Sequence, residues 1–168
     1  AIGRAVDIQE EKTERENLEK KSMMDALTSV YNTAAFKKKI QLELVRDKGM
    51  YAFGVLDIDY FKEVNDEFGH FIGDQVLIHC ADVMQKAFGE KALIGRLGGD
   101  EFAVFLRDIG DRREIEEKIQ KLLEEVRAEK GRMHLRKEPT VSVGVAFVPE
   151  SGSTFVDVYR AADQALYH

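Results

Sequence analysis

Four carboxylates occupy two short segments that directly follow apolar or glycine-rich stretches of the chain. Asp57 and Asp59 follow the apolar run 51–56, and Asp100 and Glu101 follow two consecutive glycines. Side chains two residues apart on an extended chain point to the same side, so Asp57 and Asp59 can face one site. If the two segments are neighbours in a sheet, the crowded carboxylates repel one another unless a divalent cation neutralises them. Hard oxygen ligands of this kind suit Mg²⁺ or Mn²⁺.

A polar segment between the two acidic pairs could bind the base of a nucleotide. Residues 61–74, FKEVNDEFGHFIGD, contain Asn65, Asp66 and Asp74 and lead into a predicted helix. Asn offers a donor and an acceptor while a carboxylate accepts from N–H groups, so the pair can read a purine edge. An equally good alternative is that Asp74 caps the helix and that Asn65 and Asp66 stabilise a turn. For Asp59 taken alone, a turn cap or a solvated rim position is the better interpretation.

Apolar periodicity predicts the elements that position these side chains. Short apolar runs predict strands at 51–57, 92–96, 102–107 and 140–148, with a tight turn at Gly98-Gly99-Asp100. Stripes of helical spacing predict helices at 34–46, 73–88, 111–131 and 155–167. The order is β-α-β-β-α-β with extra helices, a βααββαβ-type arrangement. It predicts an α+β, ferredoxin-like fold with one mainly antiparallel sheet covered by helices on one face.

The first 22 residues differ in composition from the rest of the chain. Residues 1–8, AIGRAVDI, suggest the last strand of an upstream region. Residues 9–22 carry five Glu against four Lys or Arg with a single aliphatic residue, Leu18. Such a segment is typical of a charged linker or stalk helix, and only a weak coiled-coil heptad can be traced through it. We therefore place a domain boundary between residues 1–22 and 23–168.

The composition excludes several functional classes. The chain has 168 residues, is 44% hydrophobic and 33% charged, and is long enough for one folded domain rather than a disordered tail. No apolar run approaches the roughly 18 residues of a membrane span, so no membrane contact is expected for this segment. One cysteine is compatible with a reducing, cytoplasmic location. A net charge of −6 argues against nucleic acid as a partner.

Five motifs in the correct order resemble the GGDEF-domain diguanylate cyclase family. Gly98–Phe102 reads GGDEF, and residues 57–74 fit the pattern D-x-D-x-F-K-x-x-N-D-x-x-G-H-x-x-G-D at every fixed position. The segments DALT at 25–28, SVGV at 142–145 and ADQALY at 162–167 are also similar to the family. The resemblance covers residues 25–168 and implies the fold of the nucleotide-cyclase palm.

The resemblance implies a role for each matching residue. Asp57, the carbonyl of Ile58 and Asp100 would hold Mg²⁺ or Mn²⁺, with Glu101 beside them in a catalytic role. Asn65 and Asp74 would read guanine. The β- and γ-phosphates would bind the main-chain N–H groups of Tyr60, Phe61 and Lys62, while Gly98 and Gly99 would let the substrate approach the main chain closely.

The implied reaction joins two GTP molecules into cyclic di-GMP and releases two pyrophosphates. Each 3′-OH would attack the α-phosphorus of the other nucleotide, so a homodimer of facing domains would be needed. An upstream sensor domain would signal through residues 9–22. Two alternatives stay open: a catalytically silent GTP-binding regulatory module, and a related cyclase whose product contains adenine.

Three departures from the family pattern carry expectations of their own. The product-inhibition motif R-x-x-D is replaced by GEKA at 89–92, so no such feedback site is expected. Residues 29–33 read SVYNT where the family usually has G-L-x-N-R, so Thr33 stands in place of an arginine. The family's last helix continues into phosphate-binding Lys and Arg residues, whereas this sequence ends at Tyr167-His168. Triphosphate binding would be weaker without them.

Overall fold

A computed structural model describes residues 2–46, 49–128 and 140–166. Within these residues the chain forms six helices and four strands. The helices are α1 (Ile2–Met23), α2 (Thr33–Arg46), α3 (Phe61–Phe68), α4 (His70–Phe88), α5 (Arg112–Ala128) and α6 (Phe155–Leu166). The strands are β1 (Tyr51–Ile58), β2 (Leu93–Gly98), β3 (Glu101–Leu106) and β4 (Val141–Val148).

The four strands form a single sheet in the order β2-β3-β1-β4. Each neighbouring pair is antiparallel. This order confirms the predicted α+β, ferredoxin-like arrangement, because the first strand lies at the centre beside the third and the last. The predicted strands are observed with boundaries that differ by at most two residues.

Helices cover both faces of the sheet, so the prediction that they cover one face is wrong. Side chains of β1 alternate: Ala52 and Leu56 belong to a core with α4 and α5, whereas Phe53 and Val55 belong to a second core with α2 and α6. Right-handed crossovers between strands place α4 and α5 on the same side. Because α2 and α6 precede and follow those crossovers, they are free to bury the other face.

Two glycines allow the helices to approach the sheet closely. A Cβ on Gly144 of β4 would lie 2.0 Å from the carbonyl oxygen of Ala162 and 2.5 Å from the amide nitrogen of Leu166, both in α6. A Cβ on Gly95 of β2 would lie 2.4 Å from Cγ of Phe36 in α2. Since protein interiors are close-packed, any side chain at either position would push a helix off the sheet.

The N-terminal segment is a helix throughout, so the prediction of a strand at residues 1–8 is wrong for its described part. Helix α1 runs from Ile2 to Met23 and has no buried residue. A lone strand with no partner would leave its main-chain groups unpaired, whereas a helix pairs them locally. Among the described residues, no helix combines the length and the apolar character that crossing a membrane requires.

Candidate active site

The two acidic pairs meet at one end of the central strands. Asp57 near the end of β1 lies opposite Glu101 of β3 on one side and Ser142 of β4 on the other. The main-chain N–H of Ile58 donates to the carbonyl oxygen of Asp100 at 3.3 Å. The hairpin between β2 and β3 therefore brings Asp100 and Glu101 beside the end of β1. The two acidic segments are thus neighbours in the sheet, which was the condition for a shared site.

The crowding of carboxylates shows in the acidity of Asp57. Its pKa is raised to about 6, mainly because the carboxyl is partly buried and then because Asp100, Glu101 and Asp59 are negatively charged. A hydrogen bond with Asp100 raises the pKa further. Each of these causes penalises the ionised form, and a bound cation would reverse the penalty.

The donor set at this end of the sheet fits a hard divalent cation. Carboxylate and carbonyl oxygens are the ligands that Mg²⁺ and Mn²⁺ prefer, and Asp57, Asp100 and the Ile58 carbonyl would provide them. No three His, Cys, Asp or Glu side chains in the described part of the chain are arranged so that they alone could hold a metal ion. Mg²⁺ usually keeps several waters or phosphate oxygens, so two carboxylates suffice.

Asp59 has a structural contact with β4, which is neither the turn cap nor the solvated rim position expected for it alone. Its two carboxylate oxygens accept hydrogen bonds from the hydroxyls of Thr140 at 2.5 Å and Ser142 at 2.6 Å. Its main-chain N–H donates to the Thr140 carbonyl at 2.9 Å. Asp59 thus ties the end of β1 to the start of β4, while its charge still acts on Asp57.

Residues 61–68 form helix α3, an extra helix that the βααββαβ-type order allows but for which no residue range was predicted. Tyr60 precedes it in the left-handed conformation (φ 57°, ψ 25°) and gives no side-chain hydrogen bond to the first turn. The N–H groups of a first helical turn lack partners within the helix, and the positive end of the helix dipole lies there. Phe61 and Lys62 therefore stand in the first turn of a helix, where main-chain N–H groups can bind an anion.

Asn65 and Asp74 come from two helices that pack together. A Cβ on Gly73 would lie 1.8 Å from Oδ1 of Asn65, so Asn65 occupies the space that Gly73 leaves free. Asp74 follows Gly73 directly and is exposed. Since α4 begins at His70 with Gly69 as its N-cap, Asp74 does not cap the helix. Asn65 likewise lies in α3 rather than in a turn, so the alternative roles of helix cap for Asp74 and turn residue for Asn65 are wrong.

The two hairpin glycines border open space. Gly98 and Gly99 are exposed, and a Cβ on either would meet no other atom within 4 Å. Neither has the positive φ that favours glycine. Nothing else in the described chain fills the space beside them, which leaves room for a substrate to approach the main chain.

Two residues that hold this site were not singled out from the sequence. The Arg96 guanidinium donates to the Gly99 carbonyl from Nε at 3.0 Å and from Nη2 at 2.8 Å, and its Nη1 contacts Asp25 at 3.2 Å. The Tyr159 hydroxyl of α6 donates to Glu101 at 3.0 Å. A lone arginine in an otherwise apolar strand was a signal for the first, but Tyr159 resembled an ordinary core residue.

The Asp25 carboxylate is stabilised in its ionised form. Burial alone would raise its pKa, but hydrogen bonds from the Thr28 hydroxyl and N–H and the contact with Arg96 outweigh that effect and lower it. The Thr28 hydroxyl lies 2.7 Å from Oδ1 of Asp25. Asp25 is therefore a fixed anion that orients Arg96 toward the hairpin.

Comparison with known proteins assigns the class of protein. The family model described as "Diguanylate cyclase, GGDEF domain" matches residues 22–168. The chain therefore belongs to the GGDEF-domain diguanylate cyclase family, as the sequence motifs indicated. Among solved structures, the coiled coil and GGDEF domain of DgcB from Caulobacter crescentus, in complex with c-di-GMP, covers 99% of the chain at 25% identity with a TM-score of 0.86, and the chain covers 90% of it.

Two curated relatives give the same result at the sequence level. The chain is 36% identical over 160 residues to the diguanylate cyclase DgcP of Pseudomonas aeruginosa, which covers 90% of this chain and 23% of DgcP. It is 32% identical over 146 residues to the probable diguanylate cyclase DgcT of Escherichia coli, covering 85% of this chain and 32% of DgcT. The chain thus spans about a third or less of these relatives' lengths.

Proposed function

We propose that this domain is an active diguanylate cyclase that condenses two GTP molecules into cyclic di-GMP and two pyrophosphates. The observation that carries the proposal is the meeting of Asp57, Asp100 and Glu101 at one end of the sheet. The resemblance assigns this place to the metal and the reacting groups. Loss of these acids is the simplest route to a silent domain, and all three are present.

Asp57, Asp100 and the Ile58 carbonyl would hold Mg²⁺ or Mn²⁺. A cation bound there would lower the pKa of the attacking 3′-OH and neutralise charge on the triphosphate. Each 3′-OH gives up its proton to water and attacks the α-phosphorus of the other nucleotide, the new P–O bond forms, and pyrophosphate leaves with the electron pair of the broken P–O bond. Glu101, fixed by Tyr159, lies next to Asp57 and is the remaining candidate for a catalytic role.

The packed helices α3 and α4 would bind the rest of the nucleotide. Asn65 would pair with the guanine edge, and the exposed Asp74 carboxylate would accept from its N1–H and N2–H donors, which adenine lacks. The phosphates would bind at the start of α3, where the main-chain N–H groups of Phe61 and Lys62 stand after Tyr60. Gly98 and Gly99 leave room for the substrate on the other side.

A domain that binds one GTP supplies half of the reaction, so catalysis requires a homodimer. Helix α1 is the candidate stalk that would bring two domains together and receive a signal from an upstream sensor domain. The solved DgcB structure that resembles this chain over 99% of its residues contains a coiled coil. Because residues 89–92 lack the R-x-x-D motif, we expect turnover without the family's product feedback.

The test is a turnover assay with GTP and Mg²⁺ or Mn²⁺, read out by chromatography of the products. It uses the 168-residue chain and a form extended by the family's basic C-terminal residues. Cyclic di-GMP is the expected product. GTP binding without product in both forms would establish the silent regulatory module instead. A product from ATP of comparable yield would overturn the assignment of Asp74 to guanine.

A further inference from the structure

We propose that Thr33 is a positioning residue that holds the strand before the Gly98-Gly99 hairpin and thereby sets Asp100 against Asp57. The inference deepens the proposed function and rests on it only for the effect on turnover. Thr33 stands where the family usually has an arginine, and its hydroxyl contacts the strand that leads into the hairpin.

The Thr33 side chain reaches two consecutive main-chain oxygens. Its hydroxyl, at the first residue of α2, lies 3.0 Å from the carbonyl oxygen of Arg96 and 3.1 Å from that of Leu97. One hydroxyl proton is shared between the two acceptors. Arg96 and Leu97 lie near the end of β2, directly before the two glycines, so the contact is made at the base of the hairpin.

The ladder between β2 and β3 is irregular at this place. Arg96 pairs with Phe102 and Gly98 pairs with Glu101, so Leu97 is an extra residue that forms a bulge. An extra residue interrupts the hydrogen bonds of a ladder, and bulges of this kind redirect nearby side chains. The Thr33 hydroxyl supplies a hydrogen bond where the ladder is interrupted.

The segment before α2 forms the other side of this contact. The N–H of Tyr31 donates to the Ile94 carbonyl at 3.0 Å, and the N–H of Arg96 donates to the Tyr31 carbonyl at 2.9 Å. Residues 31–33 therefore run along the outer edge of β2, and Thr33 extends this pairing by one more step through its side chain. The Arg96 guanidinium meanwhile holds the Gly99 carbonyl. Hydrogen bonds therefore fix the main chain on both sides of the bulge, immediately before Asp100.

The hydroxyl does not need to touch the substrate in order to affect the reaction. The carbonyl of Asp100 is joined to the N–H of Ile58, so a displaced hairpin would move Asp100 relative to Asp57. The reaction slows steeply when a catalytic group is misplaced, even where the substrate still binds. Loss of the Thr33 hydroxyl should therefore lower kcat with little change in KM.

The test compares Thr33→Val, which keeps the shape and loses the hydroxyl, with Thr33→Ser, which keeps the hydroxyl. Ser22→Ala is the matched control, because its hydroxyl also donates to a main-chain carbonyl, that of Glu19 at 2.7 Å, on an exposed turn of α1. We expect Thr33→Val to lower kcat about two- to tenfold, the range for one net hydrogen bond, with KM for GTP within about twofold. Thr33→Ser should restore kcat, and Ser22→Ala should leave it unchanged.

Hydrogen exchange of the 93–106 hairpin, measured by mass spectrometry on the same four proteins, separates this inference from the proposed function. Faster exchange in Thr33→Val alone, together with lower kcat, supports the positioning role. Unchanged exchange, or full kcat despite faster exchange, overturns it, as does a Thr33→Ser variant that behaves like Thr33→Val. If the unmodified chain makes no cyclic di-GMP, the proposed function fails and the exchange result alone decides the role of Thr33.

Discussion

Replacing Asp57 by asparagine should stabilise the metal-free protein. The pKa of Asp57 is raised from 3.8 to about 6, first by burial and then by the charges of Asp100, Glu101 and Asp59. Above pH 6 the folded state therefore holds an ionised group that it disfavours. Asn has the same shape without the charge, so Asp57→Asn removes this penalty.

The size of the effect follows from the pKa shift. A rise of about two pH units corresponds to about 3 kcal/mol at neutral pH if the full shift is realised. Asp57 is only half-buried, and water screens the charges around it, so we expect about 1 kcal/mol. For a domain of this size that corresponds to a rise in Tm of about 2–4 °C.

The pH dependence has a defined sign. Between about pH 4 and pH 6 the folded state binds more protons at Asp57 than the unfolded state, so this residue makes the protein less stable as the pH rises. The advantage of Asp57→Asn should be present at pH 7 and absent at pH 4. Thermal melts in a chelator at both pH values measure it, and turnover of the variant should be lost at every metal concentration.

Asp59→Asn is the matched comparison for this experiment. Asp59 accepts hydrogen bonds from Thr140 and Ser142, and an amide can replace only part of this pairing. We expect Asp59→Asn to lower Tm at pH 7 while Asp57→Asn raises it. A lower Tm for metal-free Asp57→Asn at pH 7, or a gain in Tm that persists at pH 4, would refute the account of Asp57 as a carboxylate whose ionised form is destabilised in the folded protein.

Three further predictions concern the residues around the site. Gly144→Ala should destabilise the domain by several kcal/mol, because its Cβ would overlap the backbone of α6, and a denaturant titration measures this loss. Tyr159→Phe should lower kcat about two- to tenfold by freeing Glu101, with Tm nearly unchanged; an unaltered kcat would show that the contact is not needed for turnover. Asp25→Asn should cost roughly 1–2 kcal/mol at pH 7, and this difference should shrink as the pH falls below 4, since protonation of Asp25 then weakens the unmodified protein too; melts across that range test it.

Much of the site could be predicted from the sequence because its residues lie in short local patterns. Asp57 directly follows an apolar run, and Gly98-Gly99 form a turn signal, so both indicated where a strand ends. The motifs indicated the family. The fold class followed from the order of strands and helices along the chain, whereas the structure supplied the order of the strands in the sheet. The position of helix α3 was missed because its polar and apolar residues also suit a turn, and α4 begins three residues before its predicted start.

The sequence by itself determined the chemistry available to this domain: the carboxylates, the Asn and Asp for a base, and the glycines that leave space. Only the tertiary structure decided how each of them is used. It joined Asp59 to β4 by hydrogen bonds and placed Thr33 against the bulge before the hairpin. It also placed Asp57 beside Asp100, where its ionised form is disfavoured. The physical reason is that these roles depend on contacts between residues far apart in the chain, such as the hydrogen bonds of Thr33 across 63 positions and of Asp59 across 83, and no local pattern encodes such contacts.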